Sequence, residues 1–170
     1  NTLSEKLQVL LKDQEKVEHF AKPLKESYDE LYQQQIRSSF LSFLIASMLY
    51  LYLWGHLPFS HVSVAIYLAF NIFTIVFAYN AFKVKKTYPY SLYAYSNMRL
   101  FFTTSYDSNI KYVYFRDIHE LKTQNKEVII DTGDTVGGGV EVTQEIIGIA
   151  NPEDFVKEID QKLQKLRIHS

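Results

Sequence analysis

The pattern of apolar and polar positions along this chain changes character three times. Residues 1 to 35 place apolar side chains at helical spacing among charges, with Leu3, Leu7, Leu10 and Leu11 in one stripe and Leu24, Tyr28, Leu31 and Tyr32 in a second. Thr2 and Glu5 have the spacing of a capping box, and Pro23 is placed to break or kink the helix between the stripes. From Ser38 through Phe82 there is then no Asp, Glu, Lys or Arg. This run holds two apolar segments, Phe40 to Leu57 and Val62 to Phe82, of 18 and 21 residues. As helices they would be roughly 27 and 31 Å long, each enough to cross a hydrocarbon core of about 30 Å. Between them "GHLPFSH" offers Gly55 to end a helix, Pro58 to break it and Ser60 to cap the next, so a tight helical hairpin is expected. A pair of buried helices in a soluble protein is the alternative, and it asks for more covering protein than 170 residues supply.

After Tyr88 the period shortens to that of strands. "YSLYAYS", "RLFFTTS", "IKYVYF", "IHELKTQ", "EVIIDTG" and "VEVTQEIIGI" are short β runs separated by turn residues, and Gly137, Gly138 and Gly139 fit a hairpin tip. Six or seven strands so closely spaced leave no room for helices between them, which predicts an antiparallel sheet curled on itself. The last change is back to helix. Asn151 suits an N-cap, Pro152 the first helical position, and Glu153 and Asp154 the positive end of the dipole. Phe155, Val156, Ile159, Leu163 and Leu166 then share one face, which needs something to cover; the open end of the sheet domain is the candidate.

Charge refines this outline. Lys22, Lys25 and Arg37 precede the first span, Lys83, Lys85 and Lys86 follow the second, and the hairpin loop has neither Lys nor Arg, which places both termini on the cytoplasmic side or its organellar equivalent. Tyr50, Tyr52, Trp54 and Phe59 gather where the hairpin would meet an interface. Residues 1 to 35 carry five basic and seven acidic side chains, ill suited to anionic lipid, so their apolar stripe is expected to pack on the C-terminal domain or on a partner subunit. Over the whole chain 18 basic residues meet 19 acidic ones, which gives no electrostatic reason to expect nucleic acid. The absence of cysteine excludes disulfides, thiolate metal sites and cysteine nucleophiles. Nothing in the first 35 residues has the layout of a secretory signal.

The paired apolar hairpin followed by "YAYSNMRLFF", "YVYFRDIHEL", "EVIIDTG" and "IIGIANPEDFVKEI" resembles the bacterial membrane-anchored pleckstrin-homology-like (PH-like) domain proteins, over residues 40 to 166. The resemblance implies a membrane α-helical hairpin plus a small α+β domain, a bent barrel of about seven strands capped by the C-terminal helix. The domains expected are then 1–37, an amphipathic N-terminal helix or helices; 38–86, a two-helix transmembrane hairpin; and 87–170, the PH-like domain. Members of the wider fold bind phosphoinositides through a basic loop between their first strands. Here that connection is "SNMR", with Arg99 alone, in a segment of nine basic and twelve acidic residues, so recognition of a multiply phosphorylated headgroup is not expected.

Candidate chemistry is sparse. His56 and His61 are close in sequence but have no carboxylate beside them, and Asp117, His119 and Glu120 would alternate across a strand as solvated surface groups. The glycines at 137 to 139 lack the Lys-Ser/Thr of a phosphate loop. No cofactor, metal site or enzymatic activity is expected. Asn71, deep in the second span, reads as a hydrogen-bonding contact to a helix neighbour or a backbone carbonyl, and as a pathway residue in the alternative. The reading that follows is a scaffold or accessory subunit of a larger membrane complex, integral with two spans in a bacterial inner membrane or an organelle inner membrane. The alternative is a lipid-interacting module in which Arg37, Lys83, Lys85 and Lys86 hold anionic headgroups.

Overall fold

Four helices and seven strands follow one another as α1 (Leu3–Leu10), β1 (Val17–Ala21), α2 (Lys25–His56), α3 (His61–Thr87), β2 (Tyr93–Ser96), β3 (Arg99–Thr104), β4 (Asp107–Tyr114), β5 (Glu120–Gln124), β6 (Glu127–Val136), β7 (Val140–Ile147) and α4 (Pro152–Ile168), in a computed structural model that describes residues 3–56, 61–136 and 140–168. The chain divides into two units, Asn1–Tyr28 with Thr87–Ser170, and Asp29–Lys86.

The second unit is made from α2 and α3, both long and apolar enough to cross a membrane. Three contacts set them antiparallel: the Ser39 hydroxyl donates to the Thr74 carbonyl at 2.9 Å, the Tyr50 and Tyr67 rings lie 4.8 Å apart, and Lys85 Nζ stands 5.7 Å from the Tyr32 ring. Among described residues 29–86, the buried positions are Ser39, Ala46, Ser63, Ala81 and Val84. All are small, as close approach of two backbones requires. Large apolar side chains face outward instead, among them Phe40, Met48, Leu51, Ile72, Ile75 and Phe82. Among the described residues no core covers these outward faces. Gly55, expected to end the first helix, sits inside its last turn; Pro58 and Ser60 lie outside the described residues.

The first unit contains two antiparallel sheets, one ordered β1-β2-β3-β4 and the other β5-β6-β7. Period-two alternation sends Tyr93, Tyr95, Leu100 and Phe102 from the first sheet, and Val128, Ile130 and Ile146 from the second, into one shared core. Helix α4 adds Phe155, Ile159 and Leu163 to that core, so its apolar stripe covers the sheets as the sequence implied. Phe155 N–H donates to the Asn151 carbonyl, closing the first turn at the expected cap position. Leu166 departs from the expected stripe, being 46% exposed. The glycines at 137 to 139 lie outside the described residues.

Strands β2 and β3 are buried on both faces, and the reason lies in the N-terminal segment. Leu7 of α1 packs with Leu92, Ala94 and Phe101 on the face turned away from the main core, with Leu11 and Val17 beside them. The helix expected over residues 1 to 35 is therefore interrupted. After α1 the chain turns at Gln14, whose φ is 68°, and enters β1, which pairs with β2 from Val17 opposite Ser96 to Ala21 opposite Tyr93. The physical reason is that His19 and Ala21 turn to the main core while Val17, beyond a bulge, packs with Leu7 on the outer face, and β2 offers an open edge whose backbone bonds β1 satisfies. Thr2 of the proposed capping box lies outside the described residues.

Two further ties hold this arm. The Leu24 N–H donates to the Gly148 carbonyl at 2.7 Å, and Lys162 of α4 pairs with Glu18 of β1. Gly148 has φ of 77°, and a Cβ there would stand 2.9 Å from Leu24 N and 3.0 Å from Pro23 Cβ. Gly148→Ala is accordingly expected to cost about 2 kcal/mol or more, from left-handed strain plus the clash, whereas Gly55→Ala, with nothing within 4 Å, leaves stability unchanged or slightly raised. Chemical denaturation of the two variants in detergent checks this. Because β1 and α1 complete the first sheet, a fragment of residues 87–170 alone is expected to fail to give a cooperative unfolding transition, and adding residues 1–28 through a flexible linker should restore one.

Candidate functional site

The most concentrated polar chemistry in the first unit lies where the N-terminal arm meets the β2–β3 turn. Glu15 and Arg99 form an ion pair whose side chains are 0% and 3% exposed. Arg99 Nε donates to Glu15 Oε1 at 3.0 Å, its Nη2 donates to Glu15 Oε2, and Nη2 also donates to the Leu10 carbonyl at 2.8 Å, closing the C-terminus of α1. Glu15 accepts two more hydrogen bonds, from Lys12 N–H at 2.9 Å and from the Ser96 hydroxyl at 2.6 Å. Ser96 Oγ in turn accepts from the Met98 and Arg99 N–H groups, each at 3.0 Å, so the tight turn and the acid share one hydroxyl.

A buried charge pair is tolerated only when lone pairs and protons are satisfied in this way. The Arg99 side-chain bond holds the Glu15 carboxyl down at about 2, with the Lys12 and Ser96 bonds acting in the same direction and burial opposing them. Arg99 is raised by the same bond. The guanidinium also lies 4.8 Å from the Phe101 ring, 4.6 Å from Tyr112 and 5.4 Å from Tyr114, an aromatic sleeve that suits a planar cation.

Around this pair the surface becomes cationic and aromatic. Lys12 Nζ is 5.0 Å from the Tyr114 ring and Arg116 Cζ is 5.2 Å from it. The Lys12 ammonium holds the Tyr114 phenol below the ordinary tyrosine range, helped by Arg99 and Arg116. These residues, with Asn97, Met98 and Leu166, line a groove of about 240 Å³. On the opposite side of β2 the Tyr95 hydroxyl donates to Glu158 at 2.6 Å; burial and that carboxylate raise its pKa. His19 stacks 5.3 Å from the Tyr95 ring.

The residues singled out from the sequence are placed differently. Arg37 is exposed in a shallow polar groove with Asp29, Glu30, Gln33, Gln34 and Ser38, and none of the three lysines lines it. Lys83 lies 4.9 Å from the Tyr79 ring and Lys85 5.7 Å from Tyr32, while Lys86 is exposed. Asn71 Nδ2 donates to the carbonyl of Tyr67 one turn back, at 2.9 Å, which is the backbone contact expected of it. Asn71→Leu is therefore expected to change stability in a bilayer mimetic by under about 1 kcal/mol.

Asp117 is in a short 3₁₀ turn and not on a strand; it pairs with Arg116 at 3.5 Å, and His119 Nδ1 lies 3.8 Å from Asp131. Among the described residues no group of three or more His, Asp or Glu could hold a metal ion. Sequence reasoning weighed Arg99 only as a headgroup ligand and counted Glu15 only as a charge. The signal was the brief alternation of Val17, His19 and Ala21 ahead of Pro23, which marks a strand and hence a docked arm. No family model and no curated protein matches the chain.

Replacing Glu15 by Ala leaves Arg99 buried without its partner and is expected to cost about 3–5 kcal/mol. The sign of the pH dependence follows from the depressed carboxyl: its contribution is present in full above the ordinary 4.5 and is lost as the pH falls toward about 2. Denaturation midpoints of wild type and Glu15→Ala should thus lie far apart near neutrality and converge across that acid window.

Proposed function

We propose that this chain is a membrane-anchored PH-like module serving as a scaffold or accessory subunit, with the hairpin in the bilayer and the sheet domain engaging other subunits. The observation that carries the reading is the discontinuity of the sheet domain. Its residues come from before and after the hairpin, and Glu15 with Arg99 and β1 with β2 join the two parts. A single folded domain stays on one side of a bilayer, so the intervening chain must cross an even number of times. Two helices of sufficient length and apolarity, with outward-facing Phe40, Met48, Leu51, Ile72 and Ile75, fit that requirement. Lys83, Lys85 and Lys86 at the end of α3, with Arg37 on α2, favour the cytoplasmic side for the domain.

The two antiparallel sheets with one C-terminal helix over their shared core are consistent with a PH-like bent barrel. For the lysines, setting topology is favoured over headgroup binding, because none of them lines the groove that holds Arg37.

The chain has no cysteine, so single-cysteine variants report topology cleanly. Asp13→Cys and Asp154→Cys, both exposed, should react with a membrane-impermeant maleimide from one side, and His61→Cys from the other. Labelling of Asp13→Cys and Asp154→Cys from opposite faces would remove the proposed anchoring. For the scaffold role, crosslinking in native membranes followed by detergent purification is expected to bring other subunits with the chain, and a strictly monomeric, partner-free protein counts against it.

A further inference from the structure

The groove beside the β2–β3 turn combines features that the fold itself does not require. Leu166 continues the apolar face of α4 past Leu163, yet it leaves the core and is 46% exposed; across the groove Met98 is 41% exposed. Tyr114 is half-buried between them. An apolar lining of this kind gains if it is covered. Three cations stand at the same ring. Arg99 below is neutralised by Glu15, but Lys12 and Arg116 are at the surface. Lys12 has no carboxylate partner among the described residues. Among the described residues Arg116 pairs with Asp117 at 3.5 Å, with side chains 80% and 54% exposed, a pairing that adds little and leaves the guanidinium fork free to rearrange. Asn97 uses its side-chain oxygen for Lys16 N–H, leaving its NH₂ to donate.

A volume of about 240 Å³ is below the roughly 300–1,000 Å³ of small-molecule and cofactor sites, so the groove suits one or two side chains of a larger partner. The charge is local: residues 87 to 170 carry nine basic against twelve acidic side chains, and an extended anionic lipid surface would meet net repulsion from the segment as a whole. A short segment bearing carboxylates next to an apolar side chain meets Lys12 and Arg116, with Asp117 the acidic side chain beside Arg116. We infer that this groove receives an acidic segment of a partner protein, its carboxylates on Lys12 and Arg116 and an adjacent aliphatic or aromatic side chain against Met98, Tyr114 and Leu166. The inference rests on the scaffold reading and names the chemistry of the partner that reading requires.

The test uses the full chain in zwitterionic nanodiscs, titrated with a fluorescein-labelled peptide of alternating aspartate and leucine and with its lysine-for-aspartate counterpart. The acidic peptide should bind, more weakly as salt is raised, and the basic one should not. Arg116→Glu and Leu166→Asp, both at exposed positions, should each weaken binding about tenfold or more, and Arg116→Lys should retain most of it. Equal binding of both peptides, no binding of either, or indifference to Arg116→Glu and Leu166→Asp overturns the inference. So does full competition by inorganic phosphate at the peptide's own concentration, which would assign the groove to a simple anion. In native membranes, co-purification of the same subunits by wild type and by Arg116→Glu removes the groove and leaves the scaffold standing. A wild-type protein that brings no subunit with it overturns the scaffold reading instead.

Discussion

The buried pair of Glu15 and Arg99 is the contact on which the arrangement of the first unit depends. Taking both charges out of water costs several kcal/mol for each, and their attraction recovers that cost only in a fixed geometry with every remaining donor and acceptor engaged. Here Ser96, Lys12 N–H and the Leu10 carbonyl complete the set. Such a pair adds little net stability over an apolar substitute, but it tolerates only one alignment. A slip of the arm by one residue would turn His19 and Ala21 away from the main core and leave the arginine buried without its acid. The pair therefore acts as a register pin. Once it is set, β1 lies on the edge of β2, Leu7 reaches Phe101, and the outer face of the sheet is closed.

That register has a topological consequence. The sheet domain is built from two stretches of chain separated by the whole hairpin, and neither stretch satisfies its own polar groups. Residues 87 to 170 contain Arg99 without its acid and β2 without its outer neighbour, while residues 1 to 28 contain a strand with nothing to pair with. As the chain emerges from the N-terminus, the arm must wait until β2 and β3 exist before it can dock. The hairpin is in place by then, because it lies between. Domain closure thus follows synthesis of both long helices, and within the first unit it brings the rings of Tyr28 and Tyr88 to 5.2 Å.

Much of this was legible in the sequence wherever a period ran long enough. The charge-free run from Ser38 to Phe82 identified two long apolar helices, and the spacing of Phe155, Ile159 and Leu163 identified the helix over the core. Strands β2 to β7 followed from short alternating runs between turn residues. The arm was misread because its helix-compatible stripes flank a strand of five residues, too short for period alone to distinguish from a helix turn. What decides it is non-local: the free edge of β2 and the acid-binding arginine some 80 positions away. Leu166 was misassigned for a related reason. Helical periodicity continues past Leu163, but the core it faces has ended.

The same side-chain type is given opposite roles within a few ångströms, and burial makes the difference. Arg99 is 2% exposed, bonded on both sides to Glu15 and wrapped by three rings, so its charge is consumed inside the protein. The guanidinium of Arg116, 80% exposed, shares the Tyr114 ring with Arg99 and among the described residues is paired with a solvent-screened aspartate. A ligand that approached Arg99 would have to displace Glu15 and expose a buried carboxylate, whereas one that approached Arg116 gives up almost nothing. From the sequence, the lone arginine of the β2–β3 turn counted against recognition of a multiply phosphorylated headgroup, and anionic headgroups were assigned in the alternative to Arg37, Lys83, Lys85 and Lys86. The exposed cations lie beside Arg99, Lys12 from the arm and Arg116 from the turn that follows β4. An intact groove therefore requires a docked arm. Whatever binds there reads a domain whose N-terminal segment has already closed.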